Sequence, residues 1–317
     1  MDFSHTVLPL NQIASDCYFR ISCATDIDAL VRSMAQCGLI NPPVVIEREE
    51  HLSVVCGFGR VAAARRLGWT DIPARRLKPD TPAEVCVQIA IIDNSSQRTL
   101  NLCEQVRAIG LLSRLIADPG RLTSCAQACG LPLNHKVVRD LLKIAQLPPV
   151  LEPGLIGGAI ALPVAARLAD MKERSEAEML GRLLIELDLS LNRQREVIDW
   201  IEGIARRENS KIGPILESEG LARLRKNAQL DQRQKATLIR QHLKSLRFPS
   251  ITAAEREFEM LRRRLNLPAT IQLTPPPGFE SRSYCLQLQV TCMQDLVNGE
   301  RELHRLTLSS EFAALFE

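Results

Sequence analysis

The chain has 317 residues, of which 45% are hydrophobic, 24% charged and only 4% aromatic, with a formal net charge of +3. So large an apolar share excludes a disordered chain, and the length allows two or three domains with separate cores. The net charge is too small to specify a polyanionic partner, so the distribution of charge is more informative than its total.

From Val7 to about Leu77 the pattern is mixed α/β. Thr25 or Asp26 can cap a helix with apolar positions Ile27, Leu30, Val31 and Met34, which Gly38 ends. Residues 42–46 read as a strand after a proline start, 47–50 as a polar turn and 52–56 as the return strand. Gly57-Phe58-Gly59-Arg60 then opens an alanine-rich helix that ends at Gly68, and residues 72–77 form a further strand. Strand, tight turn and helix N-terminus in that order make an anion pocket. The backbone N–H groups and the helix dipole converge there, and Arg60 adds a cationic fork. Most such turns only join a strand to a helix.

From Pro82 to about Leu265 the period is helical. Loop signals break it at Asp118-Pro119-Gly120, Gly130-Leu131-Pro132, Pro148-Pro149, Gly157-Gly158 and residues 209–214. Residues 270–273 and 284–292 alternate like strands, and a last helix is predicted over 294–306. The ten cysteines form no Cys-x-x-Cys pair. Cys86, Cys103, Cys285 and Cys292 sit singly in apolar segments, and Cys125 and Cys129 share one predicted helix face. Reduced, buried thiols in a cytosolic protein are expected, not disulfides or zinc. The start lacks a signal-peptide pattern and no apolar run reaches spanning length, so no membrane partner is expected.

Three boxes give the chain a resemblance. Gly38-Leu39-Ile40-Asn41-Pro42-Pro43-Val44-Val45, Gly57-Phe58-Gly59-Arg60 with Ala62-Ala63-Ala64, and Asp93-Asn94-Ser95-Ser96-Gln97-Arg98-Thr99-Leu100-Asn101-Leu102-Cys103-Glu104 follow in order. In order and spacing they resemble the boxes of the ParB family of DNA-partition proteins, over about residues 8–168 with a looser echo at the C-terminus. The resemblance implies an α+β fold: a small N-terminal ParB/sulfiredoxin-like α/β domain, an all-helical middle with a helix-turn-helix, and a C-terminal helix-strand-strand-helix module. The implied divisions are 1–81, 82–208, a basic helical region 209–266, and 267–317. It further implies cytidine triphosphate with magnesium as cofactor, held by Gly57, Arg60, Asp93, Asn94 and Arg98, with Asn94 beside the metal. Three phosphates need backbone donors, arginines, and a carboxylate or amide for the metal.

The chain departs from the family pattern. Phe58 stands for a glutamate, Gly59 and Ala62 for arginines, and Asn41 for a glutamine near the hydrolytic water. Asp93 shortens a glutamate, and Arg98 falls one position late, which turns a helical side chain by about 100°. Weak nucleotide binding with little or no hydrolysis is expected, and no catalytic residue is assigned.

In the helix-turn-helix region, Thr123 can cap a helix over 124–129 that Gly130 ends. A second helix starts near Asn134 and buries Val137, Leu141 and Ala145. That leaves Asn134, His135, Lys136 and Arg139 at its exposed N-terminal part, where a recognition helix meets a major groove of double-stranded DNA. A plain helical hairpin with a solvated face is the competing reading, and position after the three boxes favours DNA. Residues 221–266 hold twelve Lys or Arg against four Asp or Glu, suited to a salt-sensitive phosphate grip. The tail resembles the module through which the family dimerises, so a homodimer is expected. The resemblance also raises a partition ATPase partner and a plasmid- or nucleoid-associated place in the cytoplasm. Two alternatives stay open: an adaptor with a dead nucleotide fold, and an enzyme of the ParB/sulfiredoxin fold such as a nuclease or kinase, with Cys56 as its suspect residue.

Overall fold

The computed structural model describes residues 3–23, 26–48, 51–131, 133–281 and 283–316. Thr25, Glu49, Glu50 and Pro132, invoked above as a cap, a turn and part of the turn after Gly130, lie outside them. Two compact units occur, residues 1–195 and 196–317.

The first unit opens with β1 (Ser4–Pro9), α1 (Asp28–Cys37), β2 (Val44–Arg48), β3 (His51–Cys56), α2 (Phe58–Arg66) and β4 (Asp71–Arg76). The strands form one sheet in the order β1-β4-β2-β3. β2 and β3 are an antiparallel pair, β2 runs parallel to β4, and β1 lies antiparallel along β4 from Ser4↔Arg76 to Pro9↔Asp71. The sheet is apolar on both faces, which explains the unbroken Val44-Val45-Ile46 run. Val45, Val54 and Ile72 pack with Met34 of α1 and Val61, Ala63 and Ala64 of α2. Val44, Ile46 and Val55 turn to the opposite face, against Cys86, Val87, Ala90 and Ile91 of α3 (Ala83–Ser95). β1 carries no sequence signal strong enough to predict it, because it is a short edge with a single buried residue, Leu8.

The helical part continues with α4 (Leu102–Ser113), α5 (Pro119–Ala128), α6 (His135–Ile144), α7 (Glu152–Ile156), α8 (Leu162–Ala169) and α9 (Arg174–Leu187); α10 (Leu191–Glu208) follows, with residues 196–208 in the second unit. Two expectations change here. Asp118 caps α5 through the amides of Gly120 and Arg121, with Pro119 in the first turn, so this segment starts a helix where a loop was predicted. Thr123, predicted as the cap, sits buried inside α5 and donates to Pro119 O at 2.9 Å. On α6 the buried seam is Val138, Leu141 and Ile144, whereas Ala145 is exposed, because the seam follows the i, i+3, i+6 row that meets α4 and α8.

The second unit holds α11 (Ile212–Leu216), α12 (Glu219–Lys226), α13 (Gln232–Arg247), α14 (Pro249–Leu265), β5 (Ile271–Thr274), β6 (Cys285–Leu288), α15 (Met293–Thr307) and α16 (Ser310–Ala313). β5 and β6 are antiparallel, and Phe258, Leu265, Leu273 and Leu306 centre a small core. Gly299 lets α15 lie on β6, since a Cβ there would stand 2.5 Å from Leu288 Cδ2. The helix-strand-strand-helix order agrees with expectation. Cys285 and Cys292, expected to be buried, are exposed, as are Cys17 and Cys37.

Candidate functional site

β3 runs directly into α2 through Gly57, whose φ of 90° is left-handed. A Cβ there would lie 2.9 Å from Pro43 Cβ, so both the backbone angle and the space demand glycine. The next residues start the helix; Arg60 N donates to Gly57 O at 2.9 Å, so the amides of Phe58 and Gly59 are the ones that position leaves for an anion.

Arg60, on the first turn of α2, is almost fully committed. Nη1 donates to Asn41 O at 3.0 Å and to Pro42 O at 3.3 Å. Nη2 donates to Asp93 Oδ2 at 2.9 Å, near the end of α3. This pair unites the second and third boxes, with both side chains largely buried. Cys56 lies beneath it. Burial, followed by the nearby Asp93 charge, pushes its thiol up to about 12, so it is no thiolate near neutral pH. Asn94 donates Nδ2 to Ala90 O at 2.8 Å, which leaves its Oδ1 available to a ligand. Among the described residues no group of three or more His, Cys, Asp or Glu side chains could hold a metal ion unaided. Asp93 and Asn94 oxygens fit magnesium only as two of its ligands, with phosphate and water supplying the rest.

Arg98, the last residue of the predicted phosphate set, is paired elsewhere. It grips Glu104 with both terminal nitrogens, at 2.5 and 2.7 Å. Glu104 is 1% exposed and also accepts from the amides of Asn101 and Cys23, each at 3.1 Å. Burial would raise its carboxyl, but the Arg98 contact and these two amides outweigh burial and hold it below the usual range. Asn101 returns a cap to Glu104 N, so one buried carboxylate organises the start of α4.

A cavity of about 370 Å³ opens beside the α2 N-terminus, lined among others by Ser15, Asp16, Arg20, Phe58, Gly59 and Arg65. The sequence boxes do not single out Ser15, Asp16, Arg20 or Arg65. Arg65 was recoverable, since 59, 62 and 65 share one helical face. Arg65 Nη2 donates to Ile13 O at 2.6 Å, and Ser53 Oγ holds Asp16 Oδ2 at 2.8 Å. Phe58, standing for the family's glutamate, packs against both core clusters of the sheet.

On α6, Asn134 is the N-cap and accepts from Val137 N at 3.0 Å. His135 Nδ1 lies 3.0 Å from Thr123 Oγ1. That hydroxyl has a single hydrogen and also lies 2.9 Å from Pro119 O, so it can donate to only one of the two. Lys136 and Arg139 are exposed, and their side chains have no hydrogen-bond or ion-pair partner among the described residues. The turn before α6 is pinned by Gln127 Nε2 to Leu133 O at 2.7 Å and Ser95 Oγ to Cys129 O at 2.9 Å. The basic stretch of the second unit is partly neutralised. Arg240 pairs with Glu196, Lys244 with Glu255, and Arg262 and Arg263 with Glu259. No helix among the described residues is long and apolar enough to cross a membrane.

Residues 6–95 match the ParB N-terminal domain. The nucleoid occlusion protein of Geobacillus thermodenitrificans is 27% identical over 178 residues, 55% of this chain and 60% of that protein. The probable plasmid-partitioning protein ParB of Thermus thermophilus is 25% identical over 215 residues, 58% of this chain and 70% of that protein. The chain thus spans about 60% of the length of the first of these relatives. Among solved structures, a C-terminally truncated chromosome-partitioning protein ParB from Caulobacter crescentus, complexed to the centromeric parS site, is 18% identical. It covers 60% of this chain and 96% of its own, with a TM-score of 0.35, too low to carry geometry across. The matched domain, its sheet and the order of the boxes agree: residues 6–95 match a ParB N-terminal domain, and the chain resembles the ParB-like proteins.

Proposed function

We propose that this protein binds double-stranded DNA through the N-terminal part of α6, and acts in plasmid or chromosome partition or in regulation at the nucleoid. One observation carries the reading. Lys136 and Arg139 project from a capped, well-packed helix with their charges uncommitted, directly after a ParB N-terminal domain. Phosphate contacts by Lys and Arg release counterions, so binding falls steeply with salt. Filter retention of duplex DNA across a salt series tests this. Retention at low salt that decays with a log–log slope is expected, and no retention even at low salt overturns it.

The Gly57 turn and the cavity beside Gly59 support a nucleoside triphosphate, of the cytidine type by family resemblance, at the start of α2. The amides of the first turn would take phosphate, and Arg60 would exchange Asp93 for it. Asp93 and Asn94, so released, would hold magnesium. The bound nucleotide would supply a gate between DNA-bound states. Arg98 is a clamp on Glu104 in this reading and not a phosphate ligand. Hydrolysis is expected to be slow or absent. The second unit supports a homodimer, since Val290, Met293, Leu296, Val297 and Leu303 leave an exposed apolar stripe along α15 and its approach. A partition ATPase is the further partner this reading predicts, in the cytoplasm on DNA.

A further inference from the structure

We infer a second ligand site in the first unit, for a small organic phosphate, in the cavity of about 360 Å³ between the residue 17–20 loop, α4, the end of α6 and α7. Its walls carry Arg20, Arg107 and Arg114 against a single carboxylate, Glu152. Arg20 Nε and Arg107 Nη1 donate to the same oxygen, Ser22 O, at 3.3 and 3.4 Å, so two guanidiniums stand side by side. Like charges so close repel unless an anion lies between them. Arg107 Nη2 meets Glu152 Oε2 at 3.2 Å, whereas the Arg114 side chain has no hydrogen-bond or ion-pair partner among the described residues.

The ends of α4 and α6 reach the wall and add about half a negative charge each. Three guanidiniums still line the cavity against the one carboxylate, and the Arg114 charge has no partner among the described residues. Forked guanidinium donors suit phosphate oxygens. Val106, Leu111, Ile144, Leu147 and Leu155 supply an apolar surface for the rest of the ligand. The anion would compete with Glu152 for Arg107, so occupancy would release α7 from α4. This site shares only Cys17 and Arg20 with the cavity beside Gly59. It stands independently of the nucleotide reading.

Calorimetry of the full chain with phenyl phosphate tests the inference, with inorganic phosphate as the second probe. Saturable phenyl phosphate binding is expected, weakened at least about ten-fold by Arg107→Gln or Arg114→Gln, as for a lost charge-assisted hydrogen bond. Glu152→Gln should tighten it several-fold, a gain that misfolding cannot produce. Arg60→Gln should leave it unchanged, and inorganic phosphate should bind more weakly. No saturable binding, equal affinity in Arg107→Gln and Arg114→Gln, or no gain in Glu152→Gln overturns the site. Loss in Arg60→Gln alone moves the ligand to the α2 cradle and also overturns it. Equal affinity for inorganic phosphate overturns the organic ligand class.

Discussion

The cradle at Gly57 and the face of α6 are built on opposite plans. At the cradle every strong group is already engaged: Arg60 is held by Asn41, Pro42 and Asp93. On α6, Lys136 and Arg139 are held by nothing among the described residues. A ligand at the cradle must displace an internal carboxylate, whereas a polyanion at α6 meets ready charges. On the proposed reading, binding at the first would be an exchange, sensitive to what Asp93 does. On the same reading, binding at the second would be an addition, sensitive chiefly to salt. A third arginine shows the extreme of commitment. Arg98 lies in a nucleotide box by sequence, and its partner is the buried Glu104.

The largest expected effect tests that last case. Glu104→Ala strips Arg98, Cys23 N and Asn101 N of one shared acceptor, and should cost about 3 kcal/mol or more in denaturant unfolding. A loss under about 1 kcal/mol would show that the carboxylate organises little. Its titration gives a companion measurement. The folded pKa is below the unfolded one, so Glu104 stabilises fully above the ordinary carboxylate range. That contribution disappears as pH falls through the depressed folded value, and Glu104→Gln should flatten this acid limb of the stability curve.

Gly57→Ala comes next, at about 2 kcal/mol, from a left-handed backbone and contact with Pro43. A neutral result would mean that the turn relaxes freely and the cradle is not rigid. On the open side of the comparison, Lys136→Ala with Arg139→Ala should change stability by less than about 0.5 kcal/mol. The same pair should lower the salt slope of DNA binding by about two. An unchanged slope would remove α6 from the interface. The smallest effect separates exchange from addition. Asp93→Asn should tighten triphosphate binding a few-fold without magnesium, by freeing Arg60, and weaken it with magnesium. Identical affinities in both conditions would mean that Arg60 and Asp93 never part.

Much of this architecture was legible because its causes are local. Gly38 ends α1, Asn134 caps α6, and the strand-turn-helix through Gly57 follows from residue types within a few positions. The start of α5 was legible too, as Asp118 before Pro119, but the same pair also signals a turn. The tail's exposed Cys285 shows the limit of alternation: a two-stranded sheet leaves one face of β6 uncovered, and Cys292 lies beyond the strand, at the N-cap of α15.

By itself, then, the sequence determined most of the order of elements after β1, the glycine that shapes the cradle, and the four polar residues that open α6. Only the tertiary structure decided which charge answers which: Arg60 with Asp93 across 33 positions, Cys23 N with Glu104 across 81. It also tied Arg98 to the buried Glu104 and left Lys136 and Arg139 without a partner among the described residues. Backbone period and capping act within a turn or two of chain. An ion pair forms between groups that the packing of other segments has carried together, and no local pattern specifies that distance.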